Sequence, residues 1–236
     1  MNGTLITAFL RQRMTSPIRL VFLIAAMCFP LLFVAAAPAS GFSSMETSLN
    51  FALIFGAGMI GQDTASGVLQ LLFARPVRRD VYAISRWFAA SLAAALMAVV
   101  QVGLAALVLA ARGARPEAGD VAIVWANHVT SAFGPTAPLL ALSALVPGLG
   151  DLGLMLLIYV FAGILQMAGG AMNQTSVAQI GHVLQDFLNP MIDFHQVLGP
   201  AISWNEIVSY LSTVTLSLAL AIVVLNRKEL SYASTS

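Results

Sequence analysis

Charge is scarce in this chain. Asp, Glu, Lys and Arg make up 9% of its 236 residues, against 59% hydrophobic. A soluble domain carries about a quarter charged residues, so the chain reads as a membrane protein. Lysine occurs once, as Lys228, so there is no GxxxxGK(S/T) phosphate loop and no ATP hydrolysis by that route. Cysteine also occurs once: Cys28 lies in an apolar run, which excludes an intrachain disulfide and leaves it as a small hydrophobe. HExxH is absent, and Ser66-Gly67 follows Thr64-Ala65, so the GxSG arrangement of intramembrane serine proteases is absent too. No Asp or Glu stands mid-way along an apolar block, where a proton-coupled carrier needs its relay. Transport by this chain would therefore draw on an energy source outside it.

What is present is a series of apolar blocks that predicts an all-α membrane protein, one transmembrane domain over residues 1–236, with six spans at about 18–37, 48–61, 87–111, 121–146, 151–170 and 207–225. Residues 2–16 carry Leu5, Ile6, Phe9, Leu10 and Met14 at helical spacing, with Arg11 and Arg13 elsewhere, which fits an interfacial helix. Ala52, Gly56, Ala57 and Gly61 in the second span, and Ala90, Ala94 and Ala98 in the third, are small-residue packing faces. Trp87 is placed as an interfacial anchor. Pro30 falls in the first span, and Pro135 and Pro138, with Asn127 and His128, dilute the fourth. From Ala171 to Glu206 there is no Lys or Arg; short helices over 177–188 and 191–198 are expected to lie on or dip into the outer leaflet.

Between spans two and three, Gly61–Trp87 holds four of the eleven basic residues: Arg75, Arg78, Arg79 and Arg86. Gly67 opens a short helix-compatible run with Val68, Leu69, Leu71, Leu72 and Phe73 on an exposed apolar face, and Arg75-Pro76 ends it, since a proline drives its predecessor out of the α region. Two readings stand: a helix resting in lipid headgroups, or one that presses on a partner protein. With both termini and this loop inside, nine basic residues are cytoplasmic and only Arg112 and Arg115 are outside, which sets the orientation.

The order of residues here, Asp63, Gly67, Leu71-Leu72, Pro76 and Arg78, resembles the coupling loop of ABC exporter permeases of the type-2 transporter family. The chain departs from that pattern in having Asp63 where glutamate is more usual and Arg86 where lysine is; both keep the charge. The resemblance implies a membrane permease whose coupling helix, with Asp63, Gly67, Val68, Leu69, Leu71, Leu72, Phe73, Arg75, Pro76 and Arg78, docks on a separate ATPase. It further implies two permease chains, as a homodimer, over two ATPase chains that bind ATP and Mg, in the bacterial cytoplasmic (inner) membrane with both termini cytoplasmic. No cofactor in this chain and no nucleic-acid partner follow from it. The cargo is not specified, although acids without bases in the 171–206 segment suit an anionic polysaccharide poorly.

Gln101 and Gln166 are candidates for a substrate path, or for interhelical hydrogen bonds. His182, Asp186, Asp193, His195, Met172 and Met191 are donor types for copper or zinc, but they also read as the polar faces of interfacial helices, and no metal site is assigned. A function of another class, a membrane scaffold or assembly factor without transport, explains the missing intramembrane charges equally well. A neighbouring reading frame with Walker motifs distinguishes the two.

Overall fold

The computed structural model describes residues 3–14, 16–38, 42, 45, 48–74, 77–114, 116–198 and 204–228. Among these the fold is all-helical: α1 (Gly3–Met14), α2 (Pro17–Ala36), α3 (Leu49–Gly56), α4 (Gly61–Ala65), α5 (Val68–Phe73), α6 (Arg79–Ala111), α7 (Ala118–Leu145), α8 (Gly150–Ala171), α9 (Thr175–Leu188), α10 (Phe194–Val197) and α11 (Trp204–Arg227). Four of these, α2, α6, α8 and α11, are long and apolar enough to cross a membrane, close to the expected first, third, fifth and sixth spans. The third begins earlier than expected: α6 takes in Arg79 to Arg86 and runs 33 residues, about 50 Å.

The other two expected spans differ from the simple pattern. α7 covers the fourth and is about 42 Å long, but polar residues and prolines lower its hydropathy; it is a buried strut rather than a lipid-facing rod. The second is not one helix. α3 ends after eight residues, about 12 Å, and the backbone opens over Ala57–Ile60 before α4 resumes. Ala57 is extended at ψ 127 and Gly58 takes φ +67, a left-handed conformation that glycine adopts without penalty. The small residues read as packing positions do pack closely. A Cβ on Gly56 would sit 2.6 Å from the Leu139 side chain, and one on Gly61 would meet the Gly148 carbonyl at 2.5 Å.

α7 holds the centre, packed against α3, α6 and α11. Phe51, Phe55, Tyr82, Leu139 and Leu140 fill the space between them, and Ala90, Ala94 and Ala98 are buried as the stripe predicts. Trp87 ties α6 to α7: its Nε1 donates to the Phe133 carbonyl at 3.2 Å and its ring meets Phe133 edge-on. α2 is the least buried of the four long apolar helices in the single chain. Its Pro30 has no N–H for the Ala26 carbonyl, and Gln101 of α6 supplies the missing donor, bonding Ala26 O at 2.7 Å and Met27 O at 3.1 Å. α9 folds back along α8, with Gly169 against Ala178 and Gly181 against the Ala162 carbonyl. It is about 21 Å long, too short to cross, and it ends beside Tyr159, midway along α8.

Candidate functional site

α5 stands at one end of the bundle, joined to α4 through Gly67. Gly67 has φ +73 with open space where a Cβ would be, so its requirement is conformational, not steric. Only part of the run faces outward. Leu71 is 73% exposed and Val68 41%, whereas Leu69 is 1% exposed and belongs to the core. Leu72 and Phe73 are half-buried against that core, and Phe73 lies edge-on to Tyr82. The expectation that all five apolar side chains share an exposed face is therefore corrected. A six-residue helix makes about 1.7 turns, so its apolar residues point around the axis and one side of it is needed to seat it. Arg78 is exposed and pairs with Asp80 at 2.7 Å. Arg75 and Pro76 lie outside the described residues.

Asp63, expected beside the docking face, is buried beneath it. It forms an ion pair with Arg86 and accepts a 2.6 Å hydrogen bond from the Tyr82 hydroxyl. The Arg86 guanidinium stacks over Phe9 of α1, 3.5 Å from the ring centroid, and donates to Gln12 at 3.2 Å. α1 is therefore not a helix with its arginines turned to water. Phe9 and Arg13 are both buried, and Arg13 donates to the Ala57 and Gly58 carbonyls at the break in the second span. The Gly58 N–H goes to Asp151 Oδ2 at 2.6 Å, and the Ile60 and Gly61 N–H groups both reach Ser143 Oγ at 2.9 Å. Arg19 bonds Gln62 Oε1 at 3.0 Å. Burial, followed by the nearby guanidiniums of Arg19 and Arg86, pushes Arg13 down from its usual value to about 9, so it stays cationic at neutral pH.

These contacts fasten α5 to the rest of the bundle. Asp63 in the middle of α4 is tied to α6 and, through Arg86, to α1, and the break before α4 is tied to α1, α7 and α8. Gly148 N–H, in the α7–α8 turn, donates to Gly61 O at 2.7 Å. Arg79 lies over the Phe73 ring and donates to the Leu225 carbonyl at 2.6 Å, closing the end of α11. Lys228 donates to the Ala144 carbonyl near the end of α7. Through α4 and α6, α5 is thus connected by these contacts to α1, α7, α8 and α11.

The sequence model described as "ABC-2 family transporter protein" matches residues 3–230. The chain belongs to that family. It is thus a multi-pass membrane protein, a permease component of ABC transport, and its family implies association with an ABC ATPase. No curated protein and no solved structure matches it.

Elsewhere in this ABC-2 family chain, Gln101 is occupied by the α2 carbonyls. Gln166 is half-buried against Gly181, and its Nε2 has no hydrogen-bond partner among the described residues. The copper and zinc donors divide: Met172, His182 and Asp186 are exposed on α9 and the turn before it, while Met191, Asp193 and His195 line a cavity at the far end of the bundle. Among the described residues, no three or more of His, Cys, Asp and Glu come together as a metal site. The residues that sequence reasoning passed over are Arg13, Arg19, Tyr82, Ser143 and Asp151. For Arg13, Arg19, Ser143 and Asp151 the shared signal is the Gly56, Gly58, Gly61 run, which marks backbone that needs outside partners; Tyr82 bonds Asp63 instead.

Proposed function

We propose that this chain is the permease of an ATP-driven exporter, in which two copies form a homodimer over two separate ATPase chains and α5 is the coupling helix. Six crossings follow if α7 and the interrupted α3–α4 segment each span, with the α5 end, both termini and Arg78 in the bacterial cytoplasm. The observation that carries the reading is the mounting of α5: Leu71 and Val68 face outward while Leu69, Asp63, Arg86 and Arg79 fix the helix to the long helices. ATPase closure would then move the bundle through a rigid lever, and a loose surface helix would absorb the same motion.

A tagged chain recovered in detergent is expected to bring with it one ATPase with Walker motifs per permease, as identified by mass. Recovery of the permease alone would favour the scaffold function. Orientation has a separate check. In a Cys28→Ala background, Ala118→Cys is expected to react with an impermeant maleimide on intact cells, and Gln70→Cys only after permeabilisation. Labelling at 70 in intact cells would reverse the topology.

A further inference from the structure

α9 is seated by one side and open on the other. Gly169 lies against Ala178, Gly181 lies against the Ala162 carbonyl, and Phe187 and Leu188 pack into the core. The open side carries Gln179, His182 and Asp186, all exposed, at spacings of three and four that place them in one strip. On a helix lying among headgroups such a strip would simply face water. The depth of α9 rules that position out. α8 is about 33 Å long, close to the hydrocarbon thickness, and α9 runs back along it from the end away from α5. It ends beside Tyr159, about 18 Å from the end of α8 at Ala171. α7 gives the same depth independently: Pro190, just past α9, abuts Gly134, about 24 Å from the α7 end at Ala118. The last turn of α9, with Asp186, therefore stands near the middle of the bilayer.

A carboxylate at that depth is costly against lipid, and intramembrane acids face other helices or a water-filled cavity. Asp186 is exposed and, among the described residues, stands in no ion pair. It borders a groove of about 300 Å³ between α9 and α11, whose wall also carries Asn189, Asn205, Glu206, Ser209 and Tyr210. Acyl chains offer such groups nothing to bond. On α8 at the level of Tyr159, by contrast, Leu157 and Val160 are 66% and 63% exposed, an outward surface that suits lipid. One depth of the chain thus shows two kinds of surface, one apolar and one that requires water. We propose that the α9–α11 groove is filled with water down to Asp186 and forms one wall of an aqueous path opening at the end of the bundle away from α5. Such a wall suits a hydrophilic cargo rather than a lipid tail, a reading that rests on the permease role; the hydration itself does not.

The test uses the full chain in membranes from broken cells, open from both sides, so neither the ATPase nor the orientation enters it. In the Cys28→Ala background, Asp186→Cys, His182→Cys and Ser209→Cys are compared with Leu157→Cys, which lies at the depth of Asp186 on the apolar surface. A water-soluble trimethylammonium methanethiosulfonate is expected to modify the first three about tenfold or more faster than the fourth, because the reacting thiolate is suppressed in apolar surroundings by a factor of ten per pKa unit. Spin labels at the same positions in reconstituted vesicles should be relaxed more by a water-soluble nickel chelate in the groove, and more by oxygen at 157. Ser209→Cys exchanges one oxygen for sulfur on an exposed side chain, and His182→Cys sits one turn above Asp186, so the two keep the test decisive where Asp186→Cys fails to fold. Groove positions that react no faster than Leu157→Cys, with oxygen the stronger relaxant, would overturn the proposal, because the strip would then face lipid. Modification at 209 and 182 but not at 186 in a folded chain would stop the water short of mid-membrane and overturn it as well. A permease recovered without an ATPase would leave these rates unchanged, so failure of the coupling role is read separately.

Discussion

Arg86→Met is expected to destabilise the folded protein by about 3–5 kcal/mol, the largest effect of any single substitution proposed. The reason is what it leaves behind. Asp63 is nearly inaccessible to solvent and, among the described residues, keeps the Tyr82 hydroxyl as its side-chain donor once the guanidinium is gone. An unpaired buried carboxylate pays its desolvation without return. The same change removes the stacking on Phe9 and the bond to Gln12, so α1 loses two of its attachments. Asp63→Leu should cost a comparable amount by stranding the guanidinium instead. The double variant, Asp63→Leu with Arg86→Met, leaves neither charge stranded, and replacing a buried ion pair with apolar groups is often close to neutral. Denaturant midpoints in detergent should therefore place the double variant nearer the unaltered chain than either single. A double variant as unstable as the two singles summed would show that the pair is not coupled.

How much of this was readable in the sequence depends on how far apart the partners stand. The long apolar helices are local: α2, α8 and α11 fall within three residues of where their hydropathy placed them. α5 was equally local, bounded by Gly67 and Arg75-Pro76. The break in the second span was not. A glycine-spaced apolar run satisfies both a packing stripe and an opened backbone, and what decides is whether outside groups take up the freed peptide bonds. Those groups come from 44 residues before Gly58's neighbour Ala57 and from 93 residues after Gly58, as Arg13 and Asp151. Neither carries a local mark. On α1 an arginine reads as water-facing until the helix is docked, and Asp151 reads as an ordinary helix start. Gln101 shows the converse: it and Pro30 are each visible as anomalies inside apolar blocks, and only the fold pairs them. The division of α5 into a seated and a free face failed for a similar reason, since five apolar residues in six positions give no moment by which to choose.

That division decides which substitution tests coupling. Leu71→Asp is expected to leave insertion and folding intact, because the side chain is 73% exposed and changes at such positions shift stability by about 0.5 kcal/mol or less. On a docked ATPase the same side chain would be covered. Full burial of a leucine contributes about 1.5–3 kcal/mol, and an unpaired carboxylate in its place adds a desolvation cost, so affinity should fall about 100-fold or more. Val68→Asp, on the same outward face, should act in the same direction and more weakly, since it is already partly covered. Leu69→Asp is the control for misplacement: it would put the charge into the core and reduce the amount of folded permease rather than its affinity for a partner. The measurement is ATPase recovered per folded permease, with permease-stimulated ATP hydrolysis as the second readout. A helix that merely rests on lipid would be indifferent to a carboxylate at Leu71, or would detach from the membrane without affecting any partner. Full ATPase recovery and full stimulation from the Val68→Asp, Leu71→Asp double variant would end the coupling role for α5, while loss of both with unchanged denaturant midpoint would fix the contact to this face.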